Sequence, residues 1–163
     1  MGMSYVSQPL SMKTVHAKRK CGLMFRVAAI FLILSLTSCS KPVAYPAPQT
    51  AGADIVIDIS SLELNVPKFY SYRFQGKDIN FFVVKMRMTI NAFLDACASC
   101  YPHKQGYRCE GDAVICRYCN EKYPIGKLAT GLGNCYPIRI EGRVERGKYL
   151  ISAATLEKSA DKF

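Results

Sequence analysis

Two cysteine pairs, Cys97-Ala98-Ser99-Cys100 and Cys116-Arg117-Tyr118-Cys119, stand fifteen residues apart in this chain. No other feature restricts its fold as tightly. Two residues between cysteines let the backbone turn so that both sulfurs face one ion, while backbone N–H groups bond to them. Fifteen residues between the pairs suffice for a two-stranded ribbon that carries the second pair back to the first. The pattern is that of a four-thiolate metal site. The expected ribbon runs through Tyr107-Arg108-Cys109, turns at Glu110-Gly111-Asp112 and returns through Ala113-Val114-Ile115. Asn120 follows the second pair, where such a turn often needs a left-handed backbone that Asn tolerates.

Other chemistries compete for these sulfurs. Covalent haem needs His directly after the second cysteine of a pair; Tyr101 and Asn120 stand there instead. A thioredoxin-like site needs one pair between a strand and a helix, whereas both pairs here lie in a stretch rich in Gly, Pro and Tyr. Disulfides are the serious alternative, since six cysteines permit fifteen pairings. Cys135, in Gly131-Leu132-Gly133-Asn134-Cys135, is a fifth ligand, a replacement ligand or a disulfide partner of Cys109. The candidate metal ligands are thus Cys97, Cys100, Cys116, Cys119 and Cys135. Cys109 reads as a bystander and His103 as a solvated loop residue rather than a ligand.

The eight cysteines include two near the N-terminus, Cys21 and Cys39. Met1 to Ser38 holds five basic residues and no acid, and Val27 to Leu36 is uncharged. Ten residues are too few for a bilayer core, which takes about 20 as a helix. They have the length of a signal-peptide core behind a basic leader. Leu36-Thr37-Ser38-Cys39 then resembles a bacterial lipobox, with Cys39 as the lipidated residue. The expected products are a signal peptide, 1–38, and a chain anchored by several acyl groups, which hold where one does not. Ser40 after the lipid cysteine favours the outer membrane if the cell has two membranes.

This placement changes the meaning of the charge. The whole chain carries +10, with 22 basic and 12 acidic residues, and would suit a nucleic-acid partner. Beyond residue 38 the balance is 17 basic to 12 acidic, or +5, and an exported chain has no nucleic acid to meet.

Residues 39–52, with Pro42, Pro46 and Pro48, read as an extended Pro-rich tether. A domain is expected over 53–163, β-rich within the α+β class. Ile55, Ile57 and Ile59 alternate with Val56, Asp58 and Ser60 as a strand. Phe69–Phe74 and Asn80–Met88 form a hairpin around Gly76-Lys77-Asp78, the second strand being apolar on both faces and therefore central. Residues 91–96 read as a single helical turn leading into Cys97. Pro137–Ile140 and Lys148–Ile151 read as short strands around Glu141-Gly142, and Ala153 to Lys162 as a short C-terminal helix. The expected whole is a small antiparallel sheet, a cysteine-knuckle module of zinc-ribbon or rubredoxin type, and that helix.

The series Ala92-Phe93-Leu94-Asp95-Ala96-Cys97-Ala98-Ser99-Cys100, Gly106-Tyr107, Gly111-Asp112, Cys116-Arg117-Tyr118-Cys119 and Gly133-Asn134-Cys135-Tyr136-Pro137 resembles the FtrD-like membrane iron–sulfur domain of bacteria and archaea. The likeness spans roughly residues 55 to 157. It implies a metal or iron–sulfur centre at Cys97, Cys100, Cys116 and Cys119, with Cys135 also in the family's pattern. Membrane association and, in some relatives, a link to ferrous-iron uptake are implied too. Lys18-Arg19-Lys20 is no twin-arginine signal, so the chain is expected to cross the membrane unfolded and bind its metal afterwards. Zinc suits that order, and iron or an iron–sulfur cluster suits the family.

The expected function is that of an extracytoplasmic, lipid-anchored metal-binding protein of the bacterial envelope, accessory to iron transport. Its expected partners are the membrane and an iron permease or envelope redox protein. An electron-transfer or thiol–disulfide module, or a disulfide-stapled structural lipoprotein without metal, is the alternative. No phosphate loop and no Ser/His/Asp set is present, so no enzyme is expected.

Overall fold

The computed structural model describes residues 44–130 and 135–163, all within the unit Val43–Phe163. The proposed signal peptide, the lipobox, Cys39 and the first residues of the tether lie outside the described residues, as do residues 131–134. The strands are β1 (Gln49–Ala51), β2 (Asp54–Asp58), β3 (Lys68–Phe74), β4 (Lys77–Lys85), β5 (Ile90–Cys97), β6 (Tyr107–Glu110), β7 (Ala113–Cys116), β8 (Lys122–Pro124), β9 (Pro137–Ile140), β10 (Arg143–Glu145) and β11 (Lys148–Ser152). One short helix, α1 (Ala153–Glu157), follows, and a 3-10 turn at Ala160–Lys162 ends the chain.

Three antiparallel sheets stack around the strand with two apolar faces. The middle sheet has the order β3-β4-β5-β9. In β4, Ile79, Phe81 and Val83 point to one core, and Phe82 and Val84 to the other. All five are fully buried. Strand side chains alternate with period two, so a run apolar at every position must be covered on both sides. The β3–β4 turn is tighter than the sequence suggests. Phe74 pairs with Lys77, and Gln75 and Gly76 both have positive φ, 46° and 79°. That is the two-residue turn whose twist matches a hairpin.

Residues 91–96 are not helical. They belong to β5, paired with β4 (Phe81 with Leu94, Phe82 with Phe93) and with β9. Ala, Leu and Asp carry no strand preference, but pairing on both edges outweighs intrinsic propensity. Ala92, Leu94 and Ala96 enter one core and Phe93 and Cys97 the other.

The first outer sheet, β1-β2-β11-β10, covers one face of the middle sheet. Its Ile55, Ile57, Tyr149 and Ile151 pack with Phe81, Val83 and Leu94, and Leu156 of α1 closes the layer. The strands 137–140 and 148–151 do not pair with each other. Instead β9 joins the middle sheet, and the hairpin is β10–β11, turning at Arg146 and Gly147. Gly142 marks the passage between sheets, where a Cβ would come within 2.5 Å of the Tyr149 ring. From Tyr45 onward the Pro-rich segment lies on the domain rather than free of it. The Tyr45 ring stacks on Phe69 at 4.9 Å, Ser71 donates its amide to the Pro46 carbonyl, and β1 pairs with β2.

The second outer sheet, β6-β7-β8, covers the opposite face. Tyr107, Val114, Cys116, Ile125 and Leu128 pack on Phe82, Val84 and Phe93. The β6–β7 hairpin turns at Gly111, φ 58°, where the sequence expects it.

Candidate metal centre

Both cysteine pairs begin at the last residue of a strand. Cys97 ends β5 and Cys116 ends β7, and both are buried. After Cys97 the chain turns so that the Cys100 amide donates to the Cys97 sulfur at 3.3 Å, with the Ser99 amide also directed at it. A 3-10 turn at Tyr101–His103 follows and ends on Lys104 in the left-handed region. After Cys116 the amides of Tyr118 and Cys119 bond to the Cys116 sulfur, and that of Glu121 to the Cys119 sulfur. Asn120, at φ 61°, closes this turn by donating its amide to the Cys116 carbonyl at 2.9 Å. Backbone N–H groups can therefore bear negative charge on Cys97 in the first pair and on both sulfurs of the second.

A third segment brings the fifth sulfur. Cys135 Sγ lies 2.7 Å from Cys97 Sγ, 2.8 Å from Cys119 Sγ and 3.4 Å from Cys100 Sγ. The sulfurs of Cys97, Cys100, Cys116 and Cys135 all lie within 4.8 Å of one another. Cys119 adjoins this group, at 2.8 Å from Cys135 and hydrogen-bonded also to Cys116 and Cys100, and is the exposed member. All six described cysteines are free thiols. Cys109 is exposed on β6, and Cys135 stands with the paired cysteines rather than with it. The His103 ring is stacked on Tyr118, centroids 3.5 Å apart and planes 8° apart, outside the sulfur group.

Burial opposes thiolate charge throughout the group, and hydrogen bonds decide where it settles. It pushes Cys100 up to about 12 and, together with its thiol neighbours, Cys135 higher still. At Cys97 burial is outweighed by the Cys135 thiol and the Cys100 and Ser99 amides, so its pKa falls below the ordinary thiol value. Cys119 is lowered likewise, with Cys135 and the Glu121 amide outweighing burial. The residues fit a thiolate-bound metal. The donors are all soft sulfur, which suits zinc, iron and iron–sulfur clusters. Sulfurs on a tetrahedral ion with bonds of about 2.3 Å lie about 3.8 Å apart; Cys97, Cys100, Cys116 and Cys135 lie within 4.8 Å of one another, and Cys135 is closer than the tetrahedral edge to Cys97 and Cys119.

Sequence reasoning overlooked the polar group beneath the sulfurs. Asp95, two residues before Cys97, faces inward and is 7% exposed. Its Oδ1 accepts the Tyr107 amide at 2.6 Å, and it is hydrogen-bonded to Tyr45. Burial raises its carboxyl to about 6, against the pull of the Tyr107 and Tyr45 hydrogen bonds and the Arg117 charge. Burial and the Asp95 charge raise Tyr45 to about 12. Arg117 Nε donates to the Tyr107 carbonyl at 2.8 Å. The Tyr107 hydroxyl donates to the Cys135 carbonyl at 3.3 Å and is hydrogen-bonded to the Cys97 thiol. Gly106 leaves room for the carboxylate: a Cβ there would sit 2.5 Å from Asp95 Oδ2, on a backbone with φ +64°. An acid in the apolar run Ala92–Cys97, and Gly next to Tyr between the cysteine pairs, were the available signals.

The family model described as "Membrane iron-sulfur containing protein FtrD-like" matches residues 62–163. That range holds all five clustered cysteines, Asp95 and Tyr107. No curated protein matches the chain. Among the described residues no helix is long and apolar enough to cross a membrane.

Proposed function

Because the chain belongs to the FtrD-like family of membrane iron–sulfur containing proteins, we propose that it holds a metal or iron–sulfur centre on the cysteines of its C-x-x-C pairs, on the extracytoplasmic side of the bacterial envelope. One observation carries the reading. Three separate segments bring the sulfurs of Cys97, Cys100, Cys116, Cys119 and Cys135 to one place. The β6–β7 hairpin between the pairs supports reading the module as a zinc-ribbon or rubredoxin-type knuckle. When bound, iron supplies one-electron chemistry, whereas zinc supplies a staple that contributes to folding outright.

The chain's own residues prepare that site. Backbone amides at both turns carry thiolate charge, Tyr107 seals the inner side, and Asp95 and Arg117 clamp Tyr107 from its amide and carbonyl sides. Attachment runs through lipid on Cys39, followed by a short tether, with the outer membrane favoured where two membranes exist. The setting that fits a metal-thiolate protein there is accessory to iron transport, next to a permease or envelope redox partner, in a binding rather than catalytic role. Five adjacent free thiols also favour a second reading, a thiol–disulfide or electron-transfer module.

Metal per chain, acid-labile sulfide and the visible spectrum of the purified protein before and after reductant test the proposal. It predicts about one centre per chain held by cysteine thiolates. Colour that bleaches with reductant together with labile sulfide identifies iron–sulfur, colour without sulfide a single iron, and a colourless protein with equimolar zinc identifies zinc. Metal-free protein after reduction and reloading would end the reading in favour of the thiol–disulfide alternative.

A further inference from the structure

The centre has more sulfurs than a tetrahedral ion can use. Four fill its coordination shell, and five are gathered here. Two sets of four present themselves. Sequence pairing selects Cys97, Cys100, Cys116 and Cys119; mutual distance selects Cys97, Cys100, Cys116 and Cys135. The sets share three members and differ only in the fourth. Cys97, Cys100 and Cys116 belong to both sets, and two of them, Cys97 and Cys116, are buried strand ends. Cys119 is the exposed member, and Cys135 stands between it and buried Cys97, at 2.8 and 2.7 Å.

We propose that Cys119 and Cys135 are interchangeable fourth ligands to one soft divalent ion fixed by Cys97, Cys100 and Cys116, the thiol not in use remaining free beside the ion. The proposal rests on the metal-binding reading above and extends it to how the ion moves. The entering thiol forms its metal–sulfur bond as the departing one breaks, and its proton passes to the departing thiolate. Charge and oxidation state are unchanged, and the ion never has fewer than four sulfurs. Binding through Cys135 keeps the ion on the inner set, and binding through Cys119 turns it toward solvent, where an acceptor of similar thiol chemistry can take it.

Alkylation mapping of the full chain loaded with cobalt(II) tests this. Cobalt in a tetrahedral thiolate shell has intense visible bands, which report loading directly. The loaded protein is treated with limiting iodoacetamide, digested with trypsin and mapped. Cleavage after Arg117 and Lys122 places Cys119 on its own peptide, apart from Cys116 and Cys135. Within the cluster, label is expected on both Cys119 and Cys135, with Cys97, Cys100 and Cys116 protected until cobalt is removed. Cys119→Ser and Cys135→Ser are each expected to keep the cobalt bands, and the cysteine that remains of the two becomes protected. Label on only one of the two, label on any of the three shared ligands, or no label within the cluster overturns the proposal while leaving the metal site standing. A wild-type chain that takes up no cobalt overturns both.

Discussion

Asp95 shows how a single buried carboxylate organises the sulfurs without touching them. Its oxygen accepts the Tyr107 amide at the start of β6, and Tyr107 in turn reaches Cys97 and the Cys135 carbonyl. Removing the acceptor in Asp95→Ala leaves that amide buried and unpaired, a loss of about 1–3 kcal/mol. Gly106→Ala adds a left-handed-backbone penalty of about 1–2 kcal/mol and drives a methyl into the carboxylate. Because that clash needs the carboxylate, the second substitution should cost less in the Asp95→Ala background than in the wild type. Urea midpoints of the two single variants and the double variant read this coupling; strictly additive losses would contradict it. Neither residue drew notice in the sequence as part of the site. Their relation spans a turn and a change of sheet, and no local period records it. The C-x-x-C pairs were legible because their partners lie three residues away.

Elements differ in the same way. Strand β4 was legible because Phe81 to Val84 is apolar at every position, a pattern that only a doubly covered strand explains. The β6–β7 hairpin was legible from Gly111 and the length between the pairs. Strand β5 was not, since Ala92, Leu94, Asp95 and Ala96 acquire their strand character from β4 and β9. The partnership of β9 was hidden too, because sequence proximity pointed to β11 while the fold places it beside β5. These elements predict an uneven response to metal removal. The β1–β2–β10–β11 sheet and one face of the middle sheet share a large apolar core. Sheet β6–β8 shares the smaller cluster with the other face of the middle sheet and carries Cys116, with Cys119 between β7 and β8. After chelation, amide hydrogen exchange should accelerate in β6, β7, β8 and the 3-10 segment Ile125–Thr130, while β3, β4 and β2 stay protected. Uniform acceleration across all strands would mean that the sulfur module and the sandwich unfold as one.

At the scale of the whole molecule, we propose an export signal and a lipid anchor on the same short chain as the thiolate centre. If Cys39 carries the anchor, Cys39→Ser should move the protein from the membrane fraction to the soluble one and abolish incorporation of labelled fatty acid. Retention of the variant in the membrane would point to a different attachment. On that proposal, residues 1–38 would carry five of the ten net positive charges and the rest of the chain +5, against which the thiolates would count. The central claim is that this domain surrounds a metal with cysteine sulfur, and metal-edge X-ray absorption of the loaded, reduced protein tests it most directly. Four sulfurs at about 2.3 Å are expected around the metal, unchanged in Cys109→Ser and degraded in Cys97→Ser and Cys116→Ser. A first shell of nitrogen and oxygen, indifferent to those two substitutions, would contradict it.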